Sequence, residues 1–204
     1  MKLLLCLFAA CSMVLATTRD EYCATCPGQH TMCIYNGISN ACDPQGAHGV
    51  SNEEKNMIVD LHNKLRNKTW DDGLAEVAQR WADQCNYGHD ACRRDPRFKD
   101  VINQVGQNVA YDASCEKKAD WNVPMNMWYN EVSKFDRNDV NNYRFLMPIG
   151  HYSQVVWAET NKVGCGFRTY TTGGSCRRYY VCNYGPTGNF SNSKVYLTGS
   201  PSSA

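Results

Sequence analysis

Twelve cysteines in a chain of 204 residues limit the possible folds more than any other feature, because their chemistry depends on the compartment the chain reaches. The first residues speak to that. Lys2 supplies a positive charge, Leu3 to Leu15 is apolar, and Val14-Leu15-Ala16 offers a small-residue exit before the polar Thr17-Thr18-Arg19-Asp20. Residues 1–16 are therefore read as a cleaved secretion signal. Cleavage removes Cys6 and Cys11 and leaves ten cysteines, an even set in an exported chain. Oxidising surroundings pair such thiols, and each unstrained bond contributes about 2–4 kcal/mol by restricting the unfolded chain. Cys23-x-x-Cys26 alone looks like half a zinc site or a redox dithiol. No matching Cys/His knuckle follows it, and a disulfide framework is the stronger reading.

Hydrophobic residues make up 43% of the chain and charged residues 20%, enough for one sizeable core. Lys plus Arg number 21 against 20 for Asp plus Glu, so no electrostatic excess attracts a nucleic-acid backbone or an anionic membrane. Nucleic acid is excluded as an expected partner. No apolar run reaches the ~20 residues that a transmembrane helix needs.

Residues 17–50 hold four cysteines and no apolar periodicity, which reads as an irregular, disulfide-stapled N-terminal extension. A capping box, Ser51 with Glu54, then opens a helix with Met57, Ile58, Leu61 and Leu65 on one face. A second helix follows Asp71-Asp72, its stripe formed by Leu74, Val77, Ala78, Trp81, Ala82 and Cys85. Residues 87–100 and 138–143 are polar loops, and Val101 to Tyr111 contains a short strand. Pro124 suits the first turn of a third helix whose apolar side is Met125, Trp128, Val132 and Phe135. From His151 onward HYSQVVW, KVGCGFRTY and CRRYYVCNY read as strands. Helices first and strands last predict an α+β domain over residues 51–196 with a mainly antiparallel sheet. Residues 197–204 read as a flexible tail.

Gly173-Gly174 suits the two-residue turn of a hairpin. Opposed residues then sum to 347, and Cys165 faces Cys182, close enough to bond. Asn67-Lys68-Thr69 and Asn189-Phe190-Ser191 are glycosylation sequons. Trp70, Trp81, Trp128 and Trp157 are expected in the core, Trp121 partly exposed, and His30 and His48 facing solvent. Asn63 and Arg66 are expected to bond neighbouring loops.

At LHNKLR (61–66), VGQNVA (105–110), GHYSQVVW (150–157) and CRRYYVCNYGPTGN (176–189) the sequence resembles the CAP superfamily of cysteine-rich secretory, antigen 5 and pathogenesis-related-1 proteins. The four-cysteine leader, CNYGHDAC (85–92) and VCNYGPTGNF (181–190) resemble its arthropod venom allergen 5 branch. The resemblance implies a three-layer α-β-α sandwich, a secreted protein of venom, saliva or haemolymph, and a cleft with two histidines and acidic groups. Those positions match His89, His151 and Glu131, whereas the other acidic position is Gln107 here. It also implies the disulfides Cys23–Cys33, Cys26–Cys92, Cys42–Cys85 and Cys165–Cys182, which leaves Cys115 to bond Cys176. Relatives carry a longer connection between Arg66 and Trp70. About two dozen residues are absent here, although a three-residue link can still join antiparallel helices. The shortening predicts reduced stability, a splice variant or a repacked edge.

Two imidazoles and a carboxylate suit Zn²⁺ or Cu²⁺, and Gln107 in place of a charge makes weak binding the expectation. With HYSQVVW as a strand, His151 and Ser153 share a face about 6–7 Å apart, beyond hydrogen-bond reach, and no G-x-S-x-G elbow occurs. A non-enzymatic extracellular binding protein is the first reading. Its partner would be a host or prey protein, and an apolar groove would hold a sterol or lipid. A metal-dependent redox or hydrolytic activity at His89, Glu131 and His151 is the alternative. No Arg-Gly-Asp tripeptide is present.

Overall fold

The computed structural model describes residues 17–145 and 148–198. The secretion signal read over 1–16 and the tail from 199 onward lie outside the described residues. In chain order the elements are α1 (Arg19–Thr25), α2 (Thr31–Ile34), α3 (Asn52–Asn63), β1 (Thr69–Trp70) and α4 (Asp72–Ala82), followed by β2 (Gly106–Asp112), α5 (Asn122–Tyr129), α6 (Gly150–Val156), β3 (Lys162–Thr172) and β4 (Ser175–Gly185).

Local chemistry explains the helix starts. Ser51 and Glu54 form the expected capping box at α3, and the Asp71 carboxylate accepts the Leu74 N–H at α4, so free first-turn donors are satisfied. In α3 the buried face carries Ile58 and His62, while Met57 is exposed. The third helix ends at Tyr129 and continues as a 3-10 turn over Asn130–Lys134.

The sheet order is β1-β3-β4-β2. Gly173 and Gly174 take φ of +53° and +74°, which only a residue without Cβ adopts freely. The turn fixes the predicted register, and Cys165 pairs with Cys182. β2 to β4 is antiparallel as well, but β1 runs parallel to β3, so the sheet is mixed. Alternation along β4 separates two cores. Tyr180, Cys182 and Tyr184 face Ile58, Trp128 and Val155 of α3, α5 and α6, whereas Tyr179 and Val181 face Ala78 and Trp81 of α4. The three layers are thereby in place. All five expected disulfides are present, and among the described residues no helix is long and apolar enough to span a membrane.

Several expectations fail for physical reasons. HYSQVVW is helical, not a strand: residues 152–156 are all buried, and Ser153 Oγ reaches the Ile149 carbonyl at 2.9 Å, a bond one turn back. Burial on every side removes the polar alternation that separates helix from strand. His30 does not face solvent. It is fully buried, with Nε2 donating to Arg94 O at 2.7 Å and Nδ1 accepting from Met32 N at 3.1 Å. Trp121 is buried, whereas Trp70 is only partly covered.

The short link between Arg66 and Trp70 is tied to its neighbours on both sides. Asn63 Oδ1 accepts the Lys68 N–H, the loop contact expected of it, whereas Arg66 Nε donates at 3.3 Å to the carbonyl of Val156, the last residue of α6. β1 keeps only two residues, and an open groove of about 520 Å³ runs between α3, α4 and the extension as far as Cys165.

Candidate functional site

Two elements that the chain separates by 62 residues bring His89 and His151 to one cleft of about 110 Å³, with Gln107, Asn108, Glu131, Phe145 and Asn189 around it. His89 is placed through Gly88. The Gly88 carbonyl accepts Trp81 Nε1 at 2.8 Å and Tyr179 OH at 2.9 Å, and Gly88 takes φ +143°, so the turn is anchored to both α4 and β4. His151 opens α6, where Glu131 acts as a cap from another segment. Glu131 Oε2 accepts the N–H groups of His151 and Tyr152 at 2.8 and 3.0 Å, and Oε1 accepts His151 Nδ1 at 2.8 Å. A carboxylate at a helix start satisfies free donors and complements the dipole.

The two rings are oriented alike. His89 Nδ1 donates to Gln107 Oε1 at 2.8 Å. Gln107 must present its oxygen there, because its Nε2 donates to Asp90 Oδ1 and Asn183 Oδ1 at 3.2 and 3.0 Å. Each Nδ1 is thus spent on an oxygen of the protein, which leaves each Nε2 as the remaining ring nitrogen. His89 lies exposed at the rim, yet the protein packed around its inner side, with Arg93 and His151 nearby, holds its pKa below the usual imidazole value. The neutral ring is thereby favoured.

Asp90 escaped the sequence reading. It is buried, accepts Thr31 Oγ1, Arg93 Nε and Gln107 Nε2, and restores a carboxylate one layer behind Gln107. Its position next to His89 was the available signal. Among the described residues no three His, Cys, Asp or Glu side chains gather as a metal-holding group. Glu131 and Gln107 instead each direct an oxygen at a ring Nδ1, so the ring nitrogens left for a cation are the two Nε2 atoms. Ser153 offers no nucleophile: it is fully buried, with Asn189 Oδ1 at 2.7 Å and Tyr143 OH at 2.9 Å. In the helix it also points away from the His151 side of α6.

Comparison with known proteins gives the same picture. Residues 59–184 match the model of the CAP cysteine-rich secretory protein family. The chain is 36% identical to a venom allergen 5 of Microctonus hyperodae, covering 84% of this chain and 85% of the relative. It is 40% identical to a venom allergen 3 homolog of Dinoponera quadriceps, covering 82% and 83%. Among solved structures, that of BmVAL-1 superposes with a TM-score of 0.58 at 27% identity, covering 78% of this chain and 87% of the other. The Microctonus alignment runs over 203 positions yet takes in 84% of these 204 residues. That difference leaves some 30 positions of the relative without a counterpart, in line with the short link at Arg66 to Trp70.

Proposed function

Because this chain belongs to the CAP family of cysteine-rich secretory proteins, we propose that it is a secreted venom allergen 5-like binding or effector protein, acting by recognition and without turnover. One observation carries this reading: Gln107 and Glu131 are committed to holding the two imidazoles, and the Ser153 hydroxyl, two residues from His151, is sealed in the core. Acid–base chemistry without an activated nucleophile is incomplete. Phe145, 52% exposed at the rim, gives the cleft an apolar lip for a host or prey protein, with a sterol or lipid as the other class of ligand. Five disulfides suit service outside the cell.

The second reading, metal-dependent redox or hydrolytic activity, rests on the two Nε2 atoms that the Nδ1 bonds leave over in one cleft. His89 and His151 would hold Zn²⁺ or Cu²⁺, and the ion would supply Lewis-acid or redox chemistry; Glu131 and Gln107 would fix the tautomers. Two nitrogen donors predict weak binding. Calorimetric titration of the disulfide-intact protein with Zn²⁺ and Cu²⁺, beside His89→Ala/His151→Ala, tests it. The first reading expects indistinguishable heats and a positive lipid-extraction or target-binding assay. If the two histidines do carry a metal, Glu131→Gln lowers its affinity by about tenfold or more, since the partner of a ligand ring is lost.

The two sequons differ. Asn67 is exposed on the short link, whereas Asn189 is half-buried, with Nδ2 donating to Gly150 O at 2.9 Å. A sugar at Asn189 would have to displace that contact. Glycopeptide mass spectrometry of the secreted protein is expected to find one N-glycan at Asn67 and none at Asn189.

A further inference from the structure

Cys115 is the only exposed cysteine of the ten in the described chain, the others being half-buried or buried. Its bond to Cys176 joins the loop between β2 and α5 to the start of β4. Both sulfur residues line a recess of about 100 Å³ together with Lys117, Arg177, Asp43 and Thr171. We propose that the Cys115–Cys176 bond is a thiol–disulfide exchange site for small anionic thiols, separate from the imidazole cleft.

Three observations support this. Access comes first: attack on a disulfide needs an approach to one sulfur, and Cys115 is the most open cysteine among the described residues, its bonding partner Cys176 being half-buried. Second, the recess carries two cations that pair with no carboxylate among the described residues. Lys117 Nζ donates to the Gln45 carbonyl at 3.0 Å, and Arg177 lies over the Tyr111 ring at 4.6 Å. Among the lining residues Asp43 opposes them with one negative charge, and Glu116, next to Cys115, is turned to Arg178 at 3.4 Å, so the balance in the recess favours an anion and stabilises a thiolate. Third, the loop does not depend on the bond for its place. Arg178, buried at β4, pairs with Asp112, reaches Glu116 at 3.4 Å and donates to Lys118 O at 3.2 Å, while Tyr180 OH accepts the Asp120 N–H at 3.2 Å. An opened pair of thiols stays side by side, and reclosure is intramolecular.

The chemistry balances. An incoming thiolate bonds to Cys115 Sγ as the Cys115–Cys176 bond breaks, and the electron pair leaves on Cys176 Sγ beside Arg177. A second molecule of the same thiol then attacks the sulfur of the bound thiol. Cys115 leaves as thiolate, and the small thiol is released as its oxidised dimer. In the reverse direction Cys176 displaces the bound thiol and restores the bond.

The test uses the whole oxidised protein under native conditions, with glutathione as the anionic probe and cysteamine as the cationic one at equal thiolate concentration. Differential alkylation and peptide mass spectrometry follow each cysteine. The Cys115–Cys176 bond is expected to open about tenfold or more ahead of the other four, with the glutathione adduct on Cys115. Glutathione is expected to outpace cysteamine at low salt, and this advantage to shrink as salt screens Lys117 and Arg177. Lys117→Glu/Arg177→Glu removes the preference. The Cys115→Ala/Cys176→Ala variant retains near-ultraviolet dichroism and the four remaining bonds. Another bond opening first, all five opening together, or cysteamine matching glutathione overturns the proposal.

Discussion

Replacing Gly166 with alanine is expected to destabilise the protein by about 3 kcal/mol or more, at the upper end for overpacking. A Cβ there would stand 2.4 Å from Gln79 Cα and 2.5 Å from Gln79 N, and at Gly164 it would stand 2.3 Å from Ala75 N and 2.4 Å from Asp71 O. These are backbone atoms of α4 and its cap, so no side-chain rotation relieves the clash and the helix must lift from β3. Gly174→Ala is the control. Its φ of +74° is unfavourable, but nothing lies within 4 Å of its Cβ, and the cost is about 1–2 kcal/mol for the left-handed backbone. Urea midpoints of the disulfide-intact variants give the ranking. The effect reaches the site, because α4 carries Trp81, which holds the Gly88 carbonyl beside His89. A Gly166→Ala protein that still folds is expected to show a shifted His89 imidazole resonance, whereas Gly174→Ala leaves it in place. Equal midpoints for the two variants would refute the close packing of α4 on β3.

The parts of this fold legible in the sequence are those decided by neighbours in the chain. The α4 stripe, the Ser51 and Glu54 box, and the Gly173-Gly174 turn each work within a few residues, and the register that pairs Cys165 with Cys182 follows from that turn. Where a distant group decides, periodicity is silent. The start of α6 is capped by Glu131 from 20 residues upstream, and its fully buried Tyr-Ser-Gln-Val-Val run shows no polar face to read. Likewise β1 exists only because Thr69 and Trp70 lie against β3. The histidines of the site came from family resemblance, as did Glu131 and Gln107. Their division of labour came from geometry: Gln107 faces His89 because Asp90 and Asn183 claim its other end, a fact that no spacing encodes. Buried His30 shows the converse, a polar residue in a cysteine-rich leader that reads as surface yet caps α2 from inside.

Lys68→Met is expected to stabilise the protein by about 1–3 kcal/mol at pH 6, as replacement of buried charge often does, with an advantage that shrinks by pH 9.5. Lys68 is 2% exposed on the short link, and Nζ donates to the Thr160 carbonyl at 2.9 Å with no carboxylate among the described residues paired to it. Burial, with Arg66 adding repulsion, brings its pKa down to about 7. The unfolded chain keeps a lysine proton to about pH 10, so between these values it binds more protons than the folded chain and stability rises with pH. Below pH 7 both states are charged, and the folded one bears the full cost of a buried ammonium. His62, which faces the same region, adds a second acid-side loss. Its Nδ1 donates to Ile58 O at 2.7 Å and its Nε2 accepts from Tyr184 OH at 3.0 Å. Burial lowers its pKa to about 4, with Lys68 contributing, so its contribution is present above pH 6.5 and fades as the pH falls toward 4. Wild-type urea midpoints should therefore climb from pH 4 to pH 9.5. In Lys68→Met the climb stops near pH 7, because only the His62 part remains. Tyr179 and Tyr180, pushed above the usual phenol range by burial, reverse the trend at higher pH and set the upper limit of the test. A wild-type midpoint that is flat between pH 7 and 9.5, with the variant no more stable at pH 6, would mean that the Lys68 ammonium reaches water and that the shortened link is open.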